Sequence, residues 1–515
     1  MDLLEKDIPV ETPNTIPENR APKWFWPVVY AAVIGLGIAL RARAYAANKA
    51  LWLDEAYLAL NILKRDYHEL LNPLEYLQKA PYLFLATTRL ATESIDASEY
   101  ALRLVPFAAS VLTLPLFYGI LRRLATPPVR VFALVLFAVA SPLVFYAAET
   151  KPYSLDLLIA LLIVLLLLPE QFSFGRATVI AVTGAIAVWA SFTAVFVLAG
   201  AGGIAWIRQS WRKQSVSLAL LSVALGVSAA SFLFYYRIAL HQSVADQTVR
   251  SWWTETFMPL PPSHPSDLLW FARTGVDVFR HPIGLTLPGL GIFLFILGWI
   301  ALWKRDRWTL ALMFAPMVMA LGASGLKLYP FHERFLLFAS FPLFWLMAEG
   351  VAHLRAHMVR PLVPAIAATL LAVHPVLYAA RDFAKPQPRQ GVRGAYEHLL
   401  RRYKQGDALY VHHWASPPLQ YLYLRDGNPM PEFTEGVSAR REWRYYLTEI
   451  DRLRGKPRAW FLFINEPKEL IGQEEQFFLA YLDGFAYREE SLLTNQSNLY
   501  LYDLSGRRLP PDVDD

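Results

Sequence analysis

The stretch "WFWPVVYAAVIGLGIALRARAYAANKALWLDEAYLALNILKR", Trp24 to Arg65, joins two kinds of segment. Its first half, to about residue 45, is an apolar run long enough to cross a hydrocarbon core roughly 30 Å thick. Its second half opens on an acidic pair, Asp54 and Glu55, and continues with the spacing of an amphipathic helix. The pair is either a helix cap, for which Asp is a favoured residue, or a piece of chemistry at a membrane surface. The choice depends on which side of the membrane the pair faces and what else gathers there.

Apolar runs of this length recur along the 515 residues, of which 55% are hydrophobic and only 18% charged. A soluble chain of this size carries more charge, so the fold class expected is a polytopic α-helical membrane protein. Residues 1–23 are polar and bear Pro9, Pro13, Pro17 and Pro22, so no cleavable signal peptide is expected before the first span. The net charge of +6 resides in short loops between spans and gives no indication of nucleic acid. Zero cysteines exclude disulfides and thiolate metal sites.

About eleven transmembrane helices are expected, near 24–45, 99–121, 129–147, 153–168, 176–191, 193–208, 214–237, 285–303, 308–325, 334–353 and 361–380. The run 176–208 overshoots one crossing, and "WASFTA", Trp189 to Ala194, suits a tight turn within it. With eleven spans the loops holding Arg122, Arg123 and Arg130, then Arg208, Arg212 and Lys213, then Lys304, Arg305 and Arg307, then Arg355 and Arg360 share one side. The positive-inside rule makes that side cytoplasmic. The N-terminal tail 1–23 joins it, while the loops 46–98 and 238–284 and the segment 381–515 fall outside. An integral protein of a bacterial inner (plasma) membrane is expected, with its C-terminal domain periplasmic or extracellular.

Loop 46–98 is too long for a simple connector and holds two helical stretches, Asp54 to Lys64 and Pro81 to Ala91, whose apolar faces suit the membrane interface. Beyond 381 the composition is that of a water-soluble domain. "RGAYEHLLRRYK" reads as a helix, "DALYVHH" as a strand, and "SPPLQYLYL" as a helix capped by Ser416. A helix near 439–454, the strand "RAWFLFI", a helix near 468–483 and the strand "NLYLYDL" follow, an alternation that predicts an α/β layer with a largely parallel sheet. No glycine-rich phosphate loop follows a strand, so nucleotide binding has no support.

The expected outer face gathers the reactive residues. Asp54 and Glu55 lie about 100° apart on a helix, so they cannot address one atom. Glu149 and Lys151 flank the link between spans three and four, and the bland reading is an interfacial ion pair. Yet Lys151, Lys79, His332, Arg334, Arg41 and Arg103 are cations at a depth where the positive-inside bias disfavours them. Together they suggest a bound anion, for which a lipid phosphate is the economical candidate. Cations stabilise a departing phosphate and a carboxylate orients or deprotonates a hydroxyl. That combination suits transfer of a sugar from a lipid phosphate. Asp54, Glu55 and Glu149 could also hold a divalent cation through oxygen ligands, although carboxylates alone do not establish one. His412 and His413 are neighbours on a strand, face opposite ways, and make a poor metal pair. Contact with substrate or with the membrane domain suits them better.

The chain resembles the GT-C class of integral-membrane glycosyltransferases, especially the family-39-like group with protein O-mannosyltransferases and aminoarabinose transferases. The resemblance rests on "LWLDEAYLAL", "QKAPYLFLATTRLA", "SEYALRLVPFAASVLTLPLFYGILRRL", "SPLVFYAAETKPYSLDLL", "WASFTAVFVLAG" and "YPFHERFLLFASFPLFWLMAEG", which cover most of residues 24–353. It implies a polyprenyl-phosphate sugar donor, an exoplasmic hydroxyl acceptor, and Asp54 as the catalytic carboxylate with Glu55 beside it. It further implies Glu149 near the acceptor and Arg334 as the basic residue before a late span. The family's Lys-Pro-Pro-like segment reads Lys79-Ala80-Pro81 here, one residue out of pattern. A transporter or lipid flippase is the alternative, and predicts mid-span charges and repeated halves. An inert receptor predicts that Asp54 is only a cap.

Overall fold

A computed structural model describes residues 22–241, 253–387, 391–438, 442–464 and 472–506. Most of the predicted N-terminal tail, and part of the loop 238–284, lie outside the described residues. So do the starts of the helices expected near 439 and 468.

The apolar runs are helices. They are α1 (Phe25–Ala46), α2 (Leu53–Lys64), α3 (Tyr82–Ser94), α4 (Glu99–Leu124), α5 (Pro127–Val139), α6 (Ser141–Phe145), α7 (Tyr153–Leu167), α8 (Phe174–Ala190), α9 (Ala194–Trp211) and α10 (Ser215–Tyr235). Then come α11 (Pro265–Arg280), α12 (Pro288–Arg305), α13 (Arg307–Gly325), α14 (Phe341–His357) and α15 (Leu362–Ala384). Among the described residues, six helices are long and apolar enough to cross a membrane, or eight if each of two bent pairs is one span. The bends are 53° between α5 and α6, before Pro142, and 69° between the 3-10 turn Glu333–Ala339 and α14, before Pro342. In both, proline follows one residue after the break, where it removes an N–H the helix could not have used. The run expected to turn within "WASFTA" does so: α8 ends at Ala190 and α9 begins at Ala194. Ser191 and Thr193 in that turn are tied to each other and, through Ser191, to buried Asp156 of α7.

One large apolar core fills the bundle. A close crossing joins α12 to α14 at Gly298 and Gly350, where a Cβ on either residue would fall inside the main chain of the facing helix. Small residues that let helix backbones touch are the usual means of packing within lipid.

The C-terminal part continues through α16 (Arg393–Arg402), β1 (Ala408–Val411), α17 (Ser416–Asp426), β2 (Thr434–Glu435), α18 (Arg444–Asp451), β3 (Ala459–Ile464), α19 (Gly472–Asp483), β4 (Tyr487–Leu493) and β5 (Ser497–Asp503). The sheet order is β2-β1-β3-β5-β4. Strands β1, β2 and β3 are parallel, but β5 runs antiparallel to β3 and pairs with β4 as a hairpin. The largely parallel sheet expected from the sequence is therefore half right. Strand β4, "YREESLL", alternates exposed and half-buried positions as an edge strand and hides its period behind charges. Ser416 is the first residue of α17 rather than its cap, which falls on Ala415.

Central strand β3 is buried throughout and divides its side chains with period two. Phe461 and Phe463 enter a core formed with α18 and α19. Trp460, Leu462 and Ile464 enter a second core shared with Leu58, Leu60 and Ile62 of α2 and with Phe84 of α3. The sheet domain thus sits on the first loop. Buried Glu99, at the start of α4, receives Arg393 at 2.7 Å and Arg425 at 3.1 Å. The expectation that α2 lies in the lipid interface is corrected: α17 covers it, and its residues from Ala56 to Ile62 are buried except Tyr57.

Candidate active site

Helix α2 begins after Trp52, whose backbone is extended and makes no side-chain cap. Asp54 is therefore inside the first turn and is not the cap. An acid there still meets the positive end of the helix dipole, which is why two can stand side by side. The 100° between them sends Asp54 and Glu55 to different partners.

Glu55 is fully buried and accepts both arms of Arg103, Nε at 3.0 Å and Nη2 at 2.8 Å, together with the Thr150 N–H at 2.7 Å. It fastens α2 to α4 and to the 149–151 link. That link tightens through a Lys151 N–H bond to the Glu149 carbonyl at 2.7 Å, and Pro152 follows. Held this way, Lys151 places its Nζ 3.0 Å from Asp54 Oδ1 and 2.8 Å from Gln78 Oε1. Gln78 closes the triangle by donating Nε2 to the same Asp54 Oδ1 at 3.1 Å. Arg334, from the 3-10 turn before α14, stands 3.8 Å from Asp54 Oδ2, an ion pair too long for a hydrogen bond. Its guanidinium lies over the rings of Tyr153, Trp253 and Phe335, at 5.9, 5.6 and 5.6 Å, a contact that favours a cation.

Two cations thus share one carboxylate, a surplus of one positive charge. Burial pushes the Asp54 carboxyl up, but the charges of Lys151 and Arg334 and the hydrogen bonds from Lys151 and Gln78 outweigh it. The group is held below its ordinary value and is ionised at neutral pH. Burial pulls the Lys151 ammonium down; Asp54 and Glu55 offset this only in part, and Arg334 adds to it. The arrangement is suited to receiving an anion beside a carboxylate.

Glu149 lies on the other flank of the link. It accepts Trp52 Nε1 at 3.1 Å and lines a cavity of about 130 Å³ with Arg43, Lys49, Leu40, Phe145 and Tyr378. Of the three carboxylates that could hold a divalent cation, Glu55 pairs with Arg103, Glu149 accepts Trp52 and Asp54 pairs with Lys151. Among the described residues no group of three His, Asp or Glu side chains converges as metal ligands.

Asp54, Lys151 and Arg334 are brought together from segments nearly 300 residues apart. Two expected phosphate ligands are not there. Arg41 is buried between helices, donating to Ser110 Oγ, the Gly37 carbonyl and the Ala138 carbonyl, and Arg103 is consumed by Glu55. Both lie on inward faces of their helices, where an unpaired charge is costly and a partner is required. His332 sits at the surface beside Glu333 at 3.4 Å. Lys79 is exposed, and its neighbour Gln78 reaches Asp54. His412 is also corrected. It is buried against Glu474 at 3.1 Å, and its ring packs on Phe463, in the core on the sheet face away from α2. The sequence reading missed Gln78 because it is uncharged, and Trp253 because nothing in a loop tryptophan marks it.

No protein-family model and no curated protein matches the chain. Solved structures do. ArnT from Cupriavidus metallidurans bound to undecaprenyl phosphate superimposes with a TM-score of 0.53 at 12% identity, over 93% of this chain and 98% of that one. The fold is GT-C-like. The apo state of the same ArnT gives a TM-score of 0.53 at 11% identity with the same coverage. The GT-C-like bundle and the C-terminal sheet domain are both within the matched length, since so little of either chain is left out.

Proposed function

We propose that this chain is a glycosyltransferase that moves a sugar from a polyprenyl-phosphate donor to a hydroxyl acceptor on the outer face of a membrane. The observation that carries the reading is Asp54 held 3.0 Å from Lys151 and 3.8 Å from Arg334, a carboxylate with a surplus of cations at one end of a GT-C-like bundle. ArnT, a structural neighbour, is bound to undecaprenyl phosphate, which supports a polyprenyl phosphate as the donor's lipid. The basic loops at the opposite end support an outward-facing site.

The reaction is a direct displacement with inversion. The acceptor oxygen forms a bond to the anomeric carbon as the bond from that carbon to the phosphate oxygen breaks. The electron pair leaves with the polyprenyl phosphate, and the acceptor proton passes to Asp54. Lys151 and Arg334 stabilise the charge that builds on the leaving phosphate, and the donor supplies the energy, so no nucleotide is needed. Glu55 and Arg103 position Lys151 without touching substrate.

The test is transfer of radiolabelled sugar from a panel of polyprenyl-phosphate sugars, in membranes holding the intact protein or Asp54→Asn. The expected outcome is transfer by the intact protein and none by the variant, with thermal stability unchanged. Transfer at the intact rate by Asp54→Asn would remove Asp54 from the chemistry. Movement of labelled lipid across the bilayer with no sugar transferred would instead favour a flippase.

A further inference from the structure

Helix α2 grips the segment 75–78 at three points. Asn61 accepts the Glu75 N–H at 2.9 Å and donates to the Glu75 carbonyl at 3.3 Å. Tyr57 stacks on Tyr76 with ring centroids 4.5 Å apart and planes 19° apart. Asp54 accepts Gln78. Positions 54, 57 and 61 recur with helical spacing on one face. The gripped segment is also bent into an unusual shape: Tyr76 and Leu77 have φ of 58° and 55°, the left-handed region that non-glycine residues rarely adopt. Its strain is offset by the three contacts, and its result is to deliver one uncharged amide between Asp54 and Lys151.

That amide distinguishes the two oxygens of Asp54. Oδ1 receives both Lys151 and Gln78, while among the described residues Oδ2 has only Arg334, at a distance too long for a hydrogen bond. We propose that Gln78 is a positioning residue for the transfer: with Lys151 it occupies Oδ1 of Asp54, so that Oδ2 is the atom that takes the acceptor's proton. This rests on the transferase reading above. Gln78 also accepts Lys151 through Oε1, so when the ammonium turns toward a donor phosphate the amide keeps Asp54 aimed. Among the described residues, the charged and titratable groups around the cluster include Asp54, Glu55 and Tyr57 of α2, Tyr76, Tyr146, Lys151 of the link, Tyr153 of α7, Glu333 and Arg334. Glu435 of β2 faces Tyr57 from the sheet domain.

The experiment compares Gln78→Met and Gln78→Glu with the intact protein, measuring kcat and donor KM separately. Gln78→Met keeps the length and loses the bonds to Asp54 and Lys151, together with a longer one to the Tyr76 carbonyl. It is expected to lower kcat by about 100-fold, the size of a misplacement near reacting atoms, with donor KM moving less than about threefold. Gln78→Glu sets a second carboxylate against Asp54. Its kcat should fall further at alkaline pH and recover as the pH falls, because a protonated Glu again donates to Asp54 while an ionised one repels it. That pH signature is not produced by a residue that merely shapes the loop, and it carries the test alone should Gln78→Met fail to fold. If Gln78→Met keeps its kcat while Asp54→Asn is dead, the positioning role is wrong and the transferase reading stands. A rise in donor KM alone in both variants would likewise overturn it. If Asp54→Asn transfers normally, the transferase reading fails and this inference fails with it.

Discussion

The two ends of the helical bundle use their cations differently. At one end Arg123 donates to the Leu165 carbonyl, Arg130 to Ala125, Arg208 to Leu167 and Pro169, and Arg305 to Leu124 and Glu349. Each reaches main-chain carbonyls at or just past the last turn of α4 or α7, where the helix dipole is negative and carbonyls lack a partner. These side chains terminate helices. At the other end Lys151 and Arg334 converge on one carboxylate and leave a positive surplus. Cations satisfied by the protein's own backbone fix the structure, while cations gathered in excess of their carboxylate are arranged for something that arrives.

The comparison breaks first at Glu55. It belongs to the Asp54 end by sequence neighbourhood but is built like a structural residue, fully buried against Arg103. Glu55→Gln would leave Arg103 as an uncompensated buried charge, expected to cost about 3–5 kcal/mol of stability. Thermal unfolding of the solubilised protein would show it as a large fall in Tm. A variant of wild-type stability but low turnover would instead place Glu55 in the chemistry.

Lys151→Met sharpens the comparison from the Asp54 side. Removing one donor to the developing charge is expected to lower kcat by about 10²–10³-fold. The pH dependence should also move, and its sign follows from Asp54. The carboxyl is held down by the two cations against burial, which pushes it up. With Lys151 gone burial is less opposed, Asp54 takes up its proton at higher pH, and the acid limb of kcat/KM shifts upward. An acid limb that stays in place would separate Lys151 from the base.

The smallest effect belongs to the opposite end. Arg208→Met loses bonds to carbonyls near the end of α7 and is expected to cost about 1–3 kcal/mol of stability while turnover per folded molecule is unchanged. A fall in turnover with no loss of stability would make the two ends functionally alike.

Much of this was legible in the chain. The helix boundaries at 64, 124, 190, 305 and 325 fall where apolar periodicity meets Ser, Gly, Pro or charge, all local signals. Asp54 stood out as half of an acidic pair just after the first apolar run, and Lys151 and Arg334 as cations on the side where they are least expected. Arg41 and Arg103 stood out for the same reason and were misplaced. Depth along a span is written in the sequence, but the direction a side chain faces depends on how the helix is rotated against its neighbours. That rotation is set by packing, through contacts such as Arg41 with Ser110 of α4 and Arg103 with Glu55 of α2.

The sequence by itself determined that this chain is a helical membrane protein with a C-terminal α/β domain, because hydropathy and period are properties of short stretches. It also determined the carboxylate and the cations that could do chemistry, because charge in such surroundings is costly and conspicuous. Only the tertiary structure decided that the sheet domain shares a core with α2, that Glu55 is tied off, and that Gln78 stands between Asp54 and Lys151. Those facts depend on contacts between segments far apart in the chain. Their energies exist only once loop closure and packing have brought the partners together.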